Sequence, residues 1–191
     1  MPKKLSLSLK IRSQTDLKLY LCKTILMKKP LLLLLFLYAM TASAQIRPEL
    51  TSTGFPAFEF PRPDRPNERL IELSRSWLPY YNRGEADMYD VTANSFKIDA
   101  VRDNAFFYRN RGEVYNHAIR YTLHVVFDEK TCRITFIVKD IFANNNTLSG
   151  LTVADFFAPD GRLKEDYEEV KPSLEATAAS IVRSYINYIN Q

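Results

Sequence analysis

The run VYNHAIRYTLHVVF at residues 114–127, followed across Asp128-Glu129-Lys130-Thr131 by CRITFIVKDIF at residues 132–142, decides how this chain folds. In the first stretch Tyr115, Ile119, Tyr121, Leu123, Val125 and Phe127 are odd-numbered, with Arg120, Thr122 and His124 between them. In the second, Cys132, Ile134, Phe136 and Val138 are even-numbered, with Arg133, Thr135 and Lys139 between. Side chains alternate faces along a strand, so each stretch is a strand with one apolar face. The four-residue link reads as a hairpin loop. Pairing Phe127 with Cys132 sets Val125 opposite Ile134 and Leu123 opposite Phe136, and apolar meeting apolar at each step fixes the register.

The same pattern extends outward. A second hairpin turns through Asn110-Arg111-Gly112, and Phe96, Ile98, Ala100, Phe106 and Tyr108 of a strand over Ser95 to Tyr108 supply the matching inner face. Ala86 to Val91 adds a further strand. The sheet is expected to be apolar on one face and wet on the other, as antiparallel sheets covered on one side are. Upstream, Leu70, Ile71, Ser74, Trp77, Leu78 and Tyr81 have helical spacing. Pro66 or Asn67 starts this helix, Gly84 stops it, and Pro79 predicts an end near Leu78. Downstream come the Asn144-Asn145-Asn146 loop, a short apolar piece Leu151 to Phe157 and a turn at Pro159-Asp160-Gly161. A second helix follows, with Leu174, Ala178, Ile181, Val182, Tyr185, Tyr188 and Ile189 on one stripe and Pro172 in its first turn.

Residues 45–66 hold five prolines, which forbid a helix and leave an extended arm with one edge strand over Phe55 to Phe60. The reading is α+β in two layers: the order is β-α-β-β-β-β-α, the arm's edge strand followed by a single domain over residues 67–191, with one antiparallel sheet covered on one face by two helices.

The N-terminus bears on compartment. Met27-Lys28-Lys29-Pro30, the apolar run Leu31 to Met40 and the small-residue exit Thr41-Ala42-Ser43-Ala44 are laid out as a secretory signal peptide over residues 27–44, cleaved after Ala44. The apolar run is half of the roughly 20 residues a membrane-crossing helix needs, so no transmembrane segment is expected in the mature chain. Residues 1–26 precede a signal that has its own Met27 and read as a start assigned too early, with a long basic leader as the alternative. The 191 residues carry 26 Lys+Arg and 22 Asp+Glu, but residues 1–44 account for 8 of the former and 1 of the latter. The remaining 18 basic and 21 acidic residues leave a net charge of −3. A mildly acidic exported domain lacks the clustered cations that DNA or RNA binding requires, and no nucleic-acid partner is expected.

That element order, with Ser76-Trp77-Leu78 late in the first helix, Ile119-Arg120-Tyr121-Thr122-Leu123 in one long strand and Cys132-Arg133-Ile134-Thr135-Phe136 in the next, resembles the bacterial domain of unknown function 4468 family, which is TBP-like in fold. The resemblance implies an exported protein of Bacteroidetes-type bacteria with no assigned activity. It carries over no catalytic residue, and its fold name licenses no inference about DNA.

Motifs for known chemistry are absent: there is no Gly-rich phosphate loop, Gly-x-Ser-x-Gly elbow or His-Glu-x-x-His. His117 and His124, seven apart on one strand, point to opposite faces and share no metal. Cys132 reads as a small buried apolar residue. The acidic run at residues 165–169 lacks the ligand spacing of a calcium loop and reads as the solvated start of a helix. No cofactor or metal is implied. One polar gathering stands out. With strict alternation, inward Arg102 lies opposite Ile119, Asp140 lies on that residue's other side, and His117 and Asn104 come one step further. These four are the candidate ligand-binding residues; the structural alternative is an ion pair at the sheet's rim. On the outer face Lys97, Arg120, His124, Arg133 and Lys139 form a basic stripe, eased by Asp99, that is a candidate docking surface for an acidic partner or envelope polymer; the alternative is a solvated sheet face. Arg120 opposite Lys139 is unfavourable without an intervening acid. The function expected is a non-enzymatic exported domain that binds an envelope partner or small ligand. The alternatives are an enzyme using His117, Asp140 and Arg102, and a structural envelope component that makes contacts through its Pro-rich arm.

Overall fold

The computed structural model describes residues 48–82, 84–143 and 147–191. The signal-peptide and early-start readings lie outside these residues, and so does the triple-asparagine loop. In chain order the elements are β1 (Phe58–Pro61), α1 (Asn67–Tyr81), β2 (Ala86–Tyr89), β3 (Ser95–Asn110), β4 (Glu113–Phe127), β5 (Thr131–Phe142), two short 3-10 turns (Val153–Phe156 and Glu165–Tyr167) and α2 (Val170–Ile189). The strands form one antiparallel sheet in the order β1-β5-β4-β3-β2. The α+β architecture and its element order are those read from the sequence.

The β4–β5 register places Phe127 opposite Cys132, Val125 opposite Ile134 and Leu123 opposite Phe136, as the alternation requires. The β3–β4 hairpin closes with Asn110 opposite Glu113, and Arg111 (φ 50°) and Gly112 (φ 83°) form its two-residue turn. Left-handed backbone at both central positions matches the twist of the flanking strands, and glycine adopts it without a Cβ clash.

Two irregularities interrupt the ladder, and strict alternation misses both. In β3 the register steps from Arg102↔Ile119 to Phe106↔His117, so three residues of β3 face Ala118 alone. Asn104 takes φ 49° within this bulge. In β5 it steps from Tyr121↔Val138 to Arg120↔Asp140, which leaves Lys139 as the extra residue. Beyond Lys139 the faces exchange: Ile141 is buried at the core and Asp140 looks outward.

Both helices pack on the inner face. Helix α1 runs to Tyr81, one turn past the expected stop at Leu78. The amide that Pro79 lacks belongs to the last turn, which Asn82 closes by donating its backbone N–H to the Leu78 carbonyl at 2.9 Å. Trp77 and Tyr81 stack at 5.0 Å on that turn. Trp77 also meets Tyr185 of α2 edge-on at 5.3 Å and donates from Nε1 to the Ser184 hydroxyl at 3.2 Å. Helix α2 is held to the β3 bulge by the Thr177 hydroxyl, which donates to the Ala105 carbonyl at 2.6 Å. The Pro-rich arm belongs to the core: Leu50 is 1% exposed, its amide donates to Glu175 at 2.8 Å, and Phe55 meets Phe136 edge-on. The edge strand expected over Phe55 to Phe60 pairs instead over Phe58–Pro61, since Pro56 offers no amide.

Candidate functional site

The four candidate ligand residues do not come together. Asp140 was placed inward by alternation; the Lys139 bulge turns it to the outer face, where it accepts from Arg120 at 3.2 Å. Arg102 is exposed on the inner side, with its guanidinium over the Tyr81 ring at 5.9 Å. It borders a recess of about 650 Å3 between the end of α1 and the β3 bulge, together with Asn82, Glu85 and Asp103. Asn104 is exposed on the bulge itself. His117 is 5% exposed, further along the inner face, stacked between Phe106 (4.9 Å) and Tyr108 (5.3 Å). Burial from water lowers the His117 pKa below 6.5, against the opposing pull of the Tyr115 carbonyl near Nδ1. An imidazole held inside a ring stack serves there as a packing element.

Cys132 is fully buried, and desolvation pushes its thiol up to about 12. It has the small apolar role read from the sequence. Among the described residues no group of three His, Cys, Asp or Glu is placed to hold a metal ion.

The five docking candidates do share the outer face, which no helix covers. Lys97 lies opposite His124, and His124 lies opposite Thr135. Each cation is already paired: Lys97 with Asp90 at 2.8 Å, Arg120 with Asp140 at 3.2 Å, Arg133 with Glu59 at 2.9 Å, and Lys139 with Asp99 at 3.5 Å. The clash expected between Arg120 and Lys139 is absent because the bulge puts Asp140, not Lys139, opposite Arg120. Asp99 is the hub of this half. Burial alone would raise its pKa, but hydrogen bonds from Thr122 and Tyr89 and the Lys139 ammonium outweigh that and hold it below 3.8. The stripe is therefore close to neutral, with little free charge for an acidic partner to neutralise.

The other half of this bare face carries several apolar side chains among its polar ones, a difference from the expected wet surface. Phe142 lies opposite Ala118 on one side and Leu148 on the other, so the three share one row across adjacent chains. In the next rows Phe107 lies opposite Asn116, and Arg109 opposite Val114. Val114 is 48% and Leu148 58% exposed, and Ile137, 44% exposed, stands on the same face opposite Thr122. Phe107, Val114, Phe142 and Leu148 all lie outside the core cluster. Arg109 and Arg120 lie over Phe107 and Phe142 at 5.4 and 5.6 Å, and each also holds a carboxylate, Glu169 and Asp140 respectively. Sequence reading missed this patch because it scored only the odd residues of β4. The signal was Val114 and Ala118 at even positions, together with Phe142 at the far side of the Lys139-Asp140 step.

No protein-family model matches the chain, and no curated protein matches it in sequence. Among solved structures, a DUF4468 family protein from Bacteroides ovatus superposes with a TM-score of 0.53 at 8% identity, covering 76% of this chain and 91% of that one. A TBP-like protein from Parabacteroides distasonis matches with a TM-score of 0.46 at 8% identity, over 71% of this chain and 92% of that one. The chain has the fold of the Bacteroides ovatus protein, the fold that the sequence resemblance implied.

Proposed function

We propose that this is a non-enzymatic interaction domain of the bacterial cell envelope that engages its partner through the bare face of the sheet. The observation that carries the reading is the Ala118–Phe142–Leu148 row, with Val114 on the same face two rows further along β4. Leu148 is 58% and Val114 48% exposed on a sheet face that no helix covers, with half-buried Phe142 bridged to Leu148, and apolar groups gathered on a bare face support an interaction surface. Export rests on the signal layout over residues 27–44. The three residues of the enzyme alternative lie apart, with Arg102 exposed on the inner side, Asp140 facing outward and His117 buried in a ring stack.

Two measurements test this. N-terminal sequencing of the protein recovered from the envelope of cells expressing the full chain should begin at Gln45; a start at Met1 or Met27 sinks the export reading. A photo-crosslinking residue at Val114 should give a discrete adduct in those cells, and the same probe at Arg69 on the exposed side of α1 should not. Equal labelling from both positions, or none from Val114, removes the bare face as the interface.

A further inference from the structure

We infer that a groove on the helical layer, separate from the bare sheet face, is a binding site for an acidic glycan, a chain of sugar rings bearing carboxylates. Helices α1 and α2 border a recess of about 600 Å3, within the roughly 300–1,000 Å3 of small-ligand sites. Ala176, Ala179 and Ser180 line it with side chains too short to fill it. Tyr80 lines it too, 72% exposed yet braced, its ring tilted by 42° against that of Tyr188 at 5.3 Å. A braced aromatic ring presented to water matches the apolar C–H face of a pyranose, and its hydroxyl is left for the sugar's polar edge.

Polar groups complete the groove. Arg183, Ser184 and Asn187 fall within about one turn of α2, and all three line it. Ser184 accepts from Trp77 Nε1 at 3.2 Å, which leaves its own proton to donate. Among the described residues Arg183 has no carboxylate partner, and no Asp or Glu side chain lines the groove. Gln191 borders the groove about eight residues, or roughly 12 Å, along the chain from Arg183, so its carboxylate does not answer that charge. Arg183 thus presents a free guanidinium fork, which a carboxylate fits with two parallel hydrogen bonds. The same features decide against other occupants. A peptide strand needs open backbone groups, and a peptide helix needs apolar pockets for its anchors. Here both walls are helices bonded internally, and the residues between them are alanine and serine. A nucleic acid needs several cations in a row, and among the described residues this groove has one. A neutral glycan would use the ring and leave Arg183 unanswered.

The test is an NMR titration of the protein, purified after expression of the full chain, with trigalacturonate, with its methyl ester and with a triglutamate peptide. The ester keeps the rings and removes the charge; the peptide keeps the charge and removes the rings. Trigalacturonate should shift the amides of α2 around Arg183 and saturate with a Kd on the order of 1 mM, since an open groove leaves much of the ligand in water. The ester and the peptide should each bind at least about tenfold more weakly, because each lacks one anchor. Tyr80→Ala, at an exposed position where folding is not at stake, should weaken trigalacturonate binding by about tenfold. Arg183→Gln should bring it down to the affinity of the ester, whereas Arg75→Gln, the same charge change at an exposed position of α1 outside the groove, should leave it unchanged. No shift in α2 at about 10 mM trigalacturonate overturns the inference. So does a Tyr80→Ala variant that binds as well as the native chain, or an ester that binds as well as the acid. Equal binding of triglutamate overturns it in favour of an acidic peptide. None of these outcomes bears on the bare sheet face, which the Val114 probe tests separately.

Discussion

Ser74 and Tyr185 face each other across the two helices, with their oxygens 2.8 Å apart and both residues fully buried. The Ser74 hydroxyl donates to the Leu70 carbonyl at 2.7 Å, so its single proton is committed and the Tyr185 hydroxyl must be the donor between them. Burial raises the Tyr185 pKa well above 10, which keeps that proton in place. This direction makes the two truncations unequal. Ser74→Ala strands a phenol donor in a dry core and should cost about 1–3 kcal/mol, whereas Tyr185→Phe leaves Ser74 bonded to Leu70 and should cost about 1 kcal/mol. The double variant should be less destabilised than the sum of the two, as urea titration would reveal. Equal single costs that simply add would mean the hydroxyls do not depend on each other.

At the scale of elements the two bulges explain why the fold was legible and the polar cluster was not. Strand identity and register came from long, consistent alternation in β4 and β5, where a slip of one residue would turn Leu123, Val125, Ile134 and Phe136 into solvent. The bulges lie where alternation lapses. Lys139-Asp140 sets two polar residues between Val138 and Ile141, and Arg102-Asp103-Asn104 sets three before Ala105. Carrying strict parity through those runs put Asp140 inside, whereas an extra residue at Lys139 gives the core Ile141 and the surface an ion pair. The energetic signature separates the two arrangements. Asp140→Ala removes a bond between groups that are 34% and 45% exposed and should cost less than about 1 kcal/mol. Ile141→Ala opens a cavity beside a fully buried site and should cost about 2–5 kcal/mol. Chemical denaturation of both variants checks this; the reverse order would restore Asp140 to the interior. The apolar row on the bare face was harder to see, because it depends on Leu148 bridging to Phe142, a contact with no periodicity to announce it.

For the whole molecule, the core is completed from both ends of the domain and is sensitive to pH at one of them. Five prolines marked residues 45–66 as an arm, yet proline forbids helix without forbidding burial, and Leu50, Phe55 and Phe58 lie in the same cluster as Trp77 and Tyr185. Leu50→Ala should therefore behave as a core truncation, costing about 2–4 kcal/mol and lowering Tm by several degrees in a thermal scan. A change within error would mean that the arm merely rests on the fold. At the hairpin end His117 supplies the pH dependence. Its folded pKa is held below 6.5 by burial, so above pH 6.5 both folded and unfolded imidazoles are neutral and nothing is lost. As pH falls below 6.5 the unfolded chain takes up the proton while the folded chain resists it, and stability declines by up to about 1.4 kcal/mol per pH unit until the folded pKa is reached. The titratable neighbours in the stack, Tyr108 and Tyr115, both have pKa values raised above 10 and stay neutral throughout. The depressed carboxylates Asp99 and Glu169 act in the same direction but only at lower pH, since their ordinary values are 3.8 and 4.5. The window just below pH 6.5 thus belongs to His117, whose neighbours Phe106 and Tyr108 offer ring faces and no charge to hold an imidazolium. His117→Phe should keep the stack and flatten the stability profile between about pH 6.5 and pH 5, leaving the carboxylate-driven fall at lower pH unchanged. An unaltered slope in that window would mean that the ring stack is indifferent to acid.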